Sequence, residues 1–274
     1  LHFDGANDGD FVLHSLSGGL RENMVPEAGR AVFSGPVDMA LLQEKLVAFT
    51  AENPVTASLT EEAGRFQLEV IGKSAHGASP ASGINGVTYL ANFLSQFDFA
   101  GPAQAYLTIA GQILHQDHFG QATGVAYEDE KMGKLTMNAG VFSFDAASSD
   151  NRIALNFRFP QGTDEKKIQA VLEGLEGVRE VSLSQHMHTP HYTPMEDELV
   201  STLLSVYEKQ TGLKGHEQII GGGTFGRLLK RGVAFGAMFP GYTDTMHQAN
   251  EFADVEDLYR AAAIYAEAIY ELIK

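Results

Sequence analysis

The 274 residues carry 35 acidic against 19 basic side chains, a formal charge of −16 that repels a phosphate backbone and so argues against nucleic acid as a partner. With no cysteine, disulfides and thiolate zinc sites are excluded; any transition metal must be held by His, Asp or Glu, and the chain suits a reducing cytoplasm. No apolar run is long enough to span a membrane, and the start, Leu1-His2-Phe3-Asp4-Gly5, has neither the basic flank nor the apolar stretch of a signal peptide.

The chain opens without Met inside what reads as strand or loop, which leads to the expectation of an amino terminus upstream. In the first third the apolar spacing switches between two and three-to-four residues, an α+β pattern. Ala31-Val32-Phe33-Ser34-Gly35 ends a strand. Met39, Leu42, Leu46 and Phe49 then fall on one helical face, with Asp38 positioned to cap it. Val55 to Leu59 and Phe66 to Ile71 are β-rich runs about the turn Glu61-Glu62-Ala63-Gly64, followed by a helix from about Gly83 to Phe97.

A second unit of similar order follows. It has an apolar helix from Ala103 to His115, strands at Leu135 to Phe144 and Arg152 to Phe159, a helix at Asp164 to Leu175 and a strand at Val178 to Gln185. Element order, without a residue-level repeat, suggests an internal duplication.

From about Met195 the pattern becomes α/β. A helix (Leu199 to Gln210), a strand (Gln218 to Ile220), a glycine turn, a helix (Thr224 to Lys230) and a strand (Val233 to Met238) lead to a long closing helix. That helix is expected to pack on a sheet through Leu258, Ala262, Tyr265, Ile269 and Leu272. Pro190 and Pro194 mark a boundary near residue 190.

The most specific segment is Phe239-Pro240-Gly241-Tyr242-Thr243-Asp244-Thr245-Met246-His247-Gln248-Ala249-Asn250-Glu251, a strand end running into a polar loop, where α/β proteins keep their sites. His247 is the right type for a zinc ligand, with Asp244 or Glu251 to orient it, although a lone loop histidine is more often a hydrogen-bonded surface residue. Read singly, Arg158 is a strand arginine on a solvated face, Asn23 a turn residue before Pro26, and His76 a turn histidine between strand and helix. The run Gly221-Gly222-Gly223-Thr224 lacks the ending of a P-loop and reads as a tight turn that lets backbone approach a ligand.

Taken together, Gly221 to Arg227, Phe235 to Pro240 and the His247 loop resemble the end of M20-family metallopeptidases, closely their PepV-like bacterial dipeptidases. Three further segments match in the family's order: Gly19-Leu20-Arg21-Glu22-Asn23-Met24-Val25-Pro26, Gly72-Lys73-Ser74-Ala75-His76-Gly77 and Asn156-Phe157-Arg158-Phe159-Pro160.

The resemblance implies a catalytic domain binding two zinc ions and a lid that closes over a dipeptide. Residues 1–18 would end the N-terminal catalytic segment. Residues 19–190 would form a lid of two tandem ferredoxin-like α+β units, and 191–274 the C-terminal part of the α/β zinc-peptidase catalytic domain. His247 would be a metal ligand, His76 the donor to the developing oxyanion, Asn23 a hold on the substrate backbone and Arg158 a clamp on the free carboxylate. Gly222, Gly223 and Thr224 would line the substrate site. A histidine donor and a planar arginine fork suit those two tasks chemically.

The family's other ligands, a His-x-Asp pair, a Glu-Glu pair with the general base and a further Asp, have no counterpart here. They would precede the lid. His115-Gln116-Asp117-His118 has the letters of the first pair but lies between the lid units, and His186-Met187-His188-Thr189-Pro190-His191 offers only two convergent ligands.

The expectation is therefore a cytoplasmic, monomeric zinc-dependent dipeptidase. This chain would be an inactive portion lacking the N-terminal catalytic segment and binding no zinc tightly by itself. The alternatives are an N-acyl amino acid amidohydrolase of the same family and a non-catalytic binding or dimerisation module.

Overall fold

The computed structural model describes residues 1–5, 9–184, 188–220, 223–236, 238–243, 245 and 250–274. The chain forms two compact units, Leu1–Pro190 and His191–Lys274. The fold is mixed, with helices accompanying one large antiparallel sheet.

The sheet of the first unit is built from β1 (His2–Phe3), β2 (Val12–Gly18), β3 (Ala28–Ser34), β4 (Thr56–Glu62), β5 (Arg65–Ile71), β8 (Thr136–Asp145) and β9 (Asn151–Arg158). A separate two-stranded ribbon, β6 (Glu128–Asp129) with β7 (Gly133–Lys134), precedes β8. The seven strands run in the order β1-β9-β8-β2-β3-β5-β4. The elements expected in two tandem units therefore share one sheet, joined where β2 pairs with β8. β2 is hydrogen-bonded on both edges, to β3 and to β8.

Helices cover one sheet face. In α1 (Met39–Glu52) the Asp38 carboxylate caps Leu41 N and Leu42, Leu46 and Phe49 are buried, as the spacing required. The β4–β5 hairpin turns at Ala63 and Gly64, both with positive φ (50° and 72°), the backbone that matches strand twist. In α2 (Gly86–Leu94) nearly every residue is buried; its cap Asn85 accepts from Val87 N and Thr88 N while its amide donates to Ala139 O of β8 at 2.8 Å. The helix expected at 103–115 is α3 (Gly101–Thr108) continued by a π turn, Ile109–Ile113, and the helix expected at 164–175 is α4 (Glu165–Leu172), capped by Asp164. Phe3, Leu13, Phe33, Leu68, Leu90, Tyr106 and Phe142 are among the side chains sealed in the core.

The strand expected at 178–185 does not form among the described residues. Only Glu180 bridges to His2; the segment is held by the backbone bonds His2 N to Glu180 O and Arg179 N to His2 O, by the Gln169 amide donating to Val181 O, and by burial of Val181.

The second unit contains α5 (Glu198–Thr211) and α6 (Val255–Ile273), with a 3-10 turn at Phe225–Leu228 where a helix was expected. The strands expected at 218–220 and 233–238 are absent among the described residues, which offer them no neighbouring strand. The face of α6 is also corrected. It buries Ala261, Ile264 and Ala268 against Leu203 and Val206 of α5, while Leu258, Ile269 and Leu272 are exposed. α6 carries two adjacent apolar stripes, and periodicity alone does not choose between them.

Among the described residues no helix is long and apolar enough to cross a membrane.

Candidate functional site

In the first unit the 19–27 connection leaves β2 and passes over β8 before entering β3. The buried Asn138 amide, 2% exposed, holds it there, donating to Glu22 O at 2.7 Å and Met24 O at 2.8 Å. Asn23 is thus bracketed by two fixed carbonyls and itself exposed. Gly140 permits the approach, since a Cβ there would lie 2.3 Å from Glu22 O.

The far side of the connection is stitched to the loop carrying His76. Val25 N donates to Ala75 O at 2.8 Å, Met24 and His76 form a bridge, and Gly77 N donates to Asn23 O at 2.7 Å. A Cβ on Gly77 would stand 2.8 Å from the Asn23 carbonyl carbon, so only glycine fits. The exposed His76 ring accepts the Ala78 N–H at Nδ1, 3.1 Å away. In the neutral ring the proton then sits on Nε2, which presents a donor.

Arg158 ends β9 opposite Thr136, and Asn156 pairs with Asn138. Thr136, Asn138, Asn156 and Arg158 share one sheet face by the period-two alternation, while Leu135, Met137 and Ala139 face the core. The half-buried Arg158 makes no side-chain hydrogen bond or ion pair among the described residues; its Nε is buried without an acceptor. A guanidinium left in that state is a demand for an anion.

The segments carrying Asn23 and His76 are therefore stitched together through their backbones, with Arg158 on the sheet face whose Asn138 anchors the Asn23 connection. Sequence reasoning missed Asn138, Thr136 and Asn156. Their signal was present as polar residues at alternate positions of otherwise apolar strands.

In the second unit Thr224 precedes the 3-10 turn and Gly223 is exposed beside it. Gly222 and His247 lie outside the described residues, as do His186 and Met187. His191 Nε2 is hydrogen-bonded to Gly232 O at 2.6 Å.

The His115–His118 segment borders a cavity of about 190 Å³ with Asn85, Tyr89 and Asn138 in its wall. His115 contacts Thr88 Oγ1 and the edge of Tyr89, and burial holds its pKa below the ordinary histidine value. The Asp117 carboxylate is used by Gln121 N, Thr123 N and the Thr123 hydroxyl. Among the described residues no three His, Asp or Glu side chains converge on a metal position, so they do not by themselves fit a zinc site and no step is derived through one.

An exposed histidine, an asparagine whose flanking carbonyls are held, and an arginine without a side-chain hydrogen bond among the described residues thus lie in one unit. The sequence matches peptidase family M20/M25/M40 over residues 5–271, and the chain belongs to that family. It is 40% identical over 278 residues to the Beta-Ala-Xaa dipeptidase of Lactobacillus delbrueckii subsp. lactis, covering 100% of this chain and 58% of that protein. It is 36% identical over 265 residues to "Putative dipeptidase YtjP" of Bacillus subtilis (strain 168), covering 96% of this chain and 56% of the relative. The chain thus spans under three fifths of the relatives it matches.

Proposed function

We propose that this chain is the substrate-gripping part of a zinc-dependent dipeptidase that acts in the cytoplasm on dipeptides and similar short peptides with free termini. The carrying observation is the unpaired Arg158 guanidinium on the sheet face that also anchors Asn23 and, through it, His76.

In this reading Arg158 receives the substrate carboxylate, its planar fork measuring where a short peptide ends. Asn23 holds the peptide backbone. His76 Nε2–H donates to the oxygen on which charge develops as water adds to the carbonyl. Zinc, if held by His247 together with donors from the rest of a longer protein, would supply a Lewis acid that lowers the pKa of water. On the resemblance alone, Gly222, Gly223 and Thr224 are assigned to substrate binding, residues 191–274 to the catalytic domain and residues 19–190 to the lid.

The outward apolar residues of α6, Leu258, Ile269 and Leu272, support a longer parent. Such a face is ordinarily covered, and we assign its cover to the N-terminal catalytic segment of the intact enzyme. The chain alone is then inactive. With the sheet joined internally at β2–β8, the intact enzyme works as a monomer.

The test is kinetic, on the zinc-loaded full-length protein. It should release amino acids from dipeptides in preference to cleaving N-acyl amino acids, and His76→Ala should lower kcat by about a hundred- to a thousandfold with KM little changed. Preference for N-acyl amino acids would favour the amidohydrolase reading, and no turnover of either substrate the non-catalytic one. A wild-type kcat in His76→Ala would remove His76 from the chemistry.

A further inference from the structure

Among the described residues of the first unit, three buried polar atoms lack a hydrogen-bond partner and fall in one patch of the sheet: Arg158 Nε, Asn156 Oδ1 and Thr136 Oγ1. Register explains why they are neighbours. Thr136 is the direct cross-strand partner of Arg158, and Asn156 sits two residues before Arg158 on the same face of β9. Their chemistry is complementary. Arg158 Nε is a donor without an acceptor, Asn156 Oδ1 an acceptor without a donor, and the Thr136 hydroxyl serves either way. Leaving such groups unpaired is costly, and the three lie on one face across two neighbouring register rows, Thr136–Arg158 and Asn138–Asn156, rather than as scattered defects.

Arg158 is half-buried, yet only its Nε is sealed without a partner, so the accessible part of the guanidinium is the terminal Nη edge. A ligand carboxylate must then be met end-on by the two Nη groups, while the back of the fork faces Asn156 and Thr136.

Resting on the carboxylate-clamp reading above, we infer that Asn156 and Thr136 are positioning residues for Arg158: when the Nη edge takes a substrate carboxylate, Arg158 Nε–H pairs with Asn156 Oδ1, and the Thr136 hydroxyl joins the pair from the neighbouring strand. The unpaired free state makes the clamp selective. A ligand bearing a carboxylate fixes the guanidinium and lets the buried groups behind it pair, whereas a neutral carboxamide gives no such fixation. Asn156 and Thr136 thereby set the preference for a free carboxyl end without touching the substrate.

The experiment compares Asn156→Leu, the isosteric Thr136→Val and the hydroxyl-keeping Thr136→Ser with Arg158→Ala in the full-length zinc-loaded protein, using dipeptides and their carboxyl-amidated analogues. Asn156→Leu should raise KM for free dipeptides by about ten- to a hundredfold, the scale of a hydrogen bond to a charged group, with kcat and the amidated substrate almost unchanged. Thr136→Val should raise it by about fivefold. Thr136→Ser should stay within about twofold of wild type, because the hydroxyl is retained. A spectroscopic arm uses this chain itself, arginine-labelled, titrated with glycylglycine: hydrogen exchange at Arg158 Nε–H should slow in the wild type and not in Asn156→Leu.

If Arg158→Ala abolishes the free-carboxylate preference while Asn156→Leu and Thr136→Val keep wild-type KM values, the clamp stands and the positioning inference is overturned. If Arg158→Ala keeps the preference, the clamp reading itself falls. Equal KM increases on free and amidated substrates would mean that the two residues serve only the fold.

Discussion

The two units close their apolar surface to very different extents. The first seals Phe3, Leu13, Phe33, Phe93 and Tyr106 almost completely between its sheet and helices. The second buries a small cluster, Leu203, Val206, Phe239, Ala261, Ile264 and Ala268, and leaves Phe225, Leu258, Ile269 and Ile273 exposed, the first at 88% and the last at 77%. The contrast is one of extent: the first unit has the larger sealed core, and the second exposes more of its apolar side chains. Asn23, His76 and Arg158, which we propose grip the substrate, belong to the first unit. A group that must hold a ligand to a fraction of an ångström needs a support that does not itself depend on the ligand.

The largest effect should come from charging the outward stripe of α6. In this chain Ile269→Lys replaces an exposed residue and should change stability by no more than about 0.5 kcal/mol. In the full-length protein, where we propose that the stripe is covered, an uncompensated buried charge should cost about 3–5 kcal/mol. Urea unfolding of both forms measures the difference. Equal, small effects in the two would mean that the face stays open in the intact enzyme.

A smaller effect, confined to the first unit, concerns acid. Burial holds His115 and His118 below the ordinary histidine pKa, so their neutral forms are favoured in the folded state. The unfolded chain binds the extra protons first as pH falls, so this contribution to stability is whole above pH 6.5 and is lost progressively below it. His115→Gln should flatten that acid limb of the stability curve for the first unit and leave the exchange rates of α5 and α6 amides unchanged. An unaltered acid limb would show that His115 is not among the groups responsible.

Much of the first unit was legible because local signals agreed with one another. Asp38 with Leu42, Leu46 and Phe49 specifies both the start and the buried face of α1, and the Ala63-Gly64 turn sets the β4–β5 hairpin. Legibility failed where long-range pairing decides. Val178 to Gln185 has strand composition, yet among its described residues only Glu180 finds a bridge. The second unit's β-prone runs lack a neighbour among the described residues. The stripe of α6 that is buried depends on meeting α5, which no periodicity reveals.

The candidate site was legible only by its letters. The resemblance pointed to Asn23, His76 and Arg158, but the Asn138 amide that brackets Asn23 acts across 114 and 116 residues of chain, and the Thr136–Arg158 register emerges only once β8 and β9 pair. Gly222 and His247 lie outside the described residues and remain proposals resting on the resemblance.

The measurement that bears most directly on the central claim is the ratio of kcat/KM for a dipeptide to that for its carboxyl-amidated analogue, in wild-type and Arg158→Ala full-length enzyme with equal metal content. Loss of a charge-assisted, bidentate contact should cut turnover of the free dipeptide by about a hundredfold or more and scarcely touch the amide, collapsing the ratio towards one. Arg158→Lys should recover only part of it, since the ammonium lacks the fork. An Arg158→Ala enzyme equally crippled on both substrates, or unimpaired on both, would contradict the assignment of this chain as the part that recognises the carboxyl end of a short peptide.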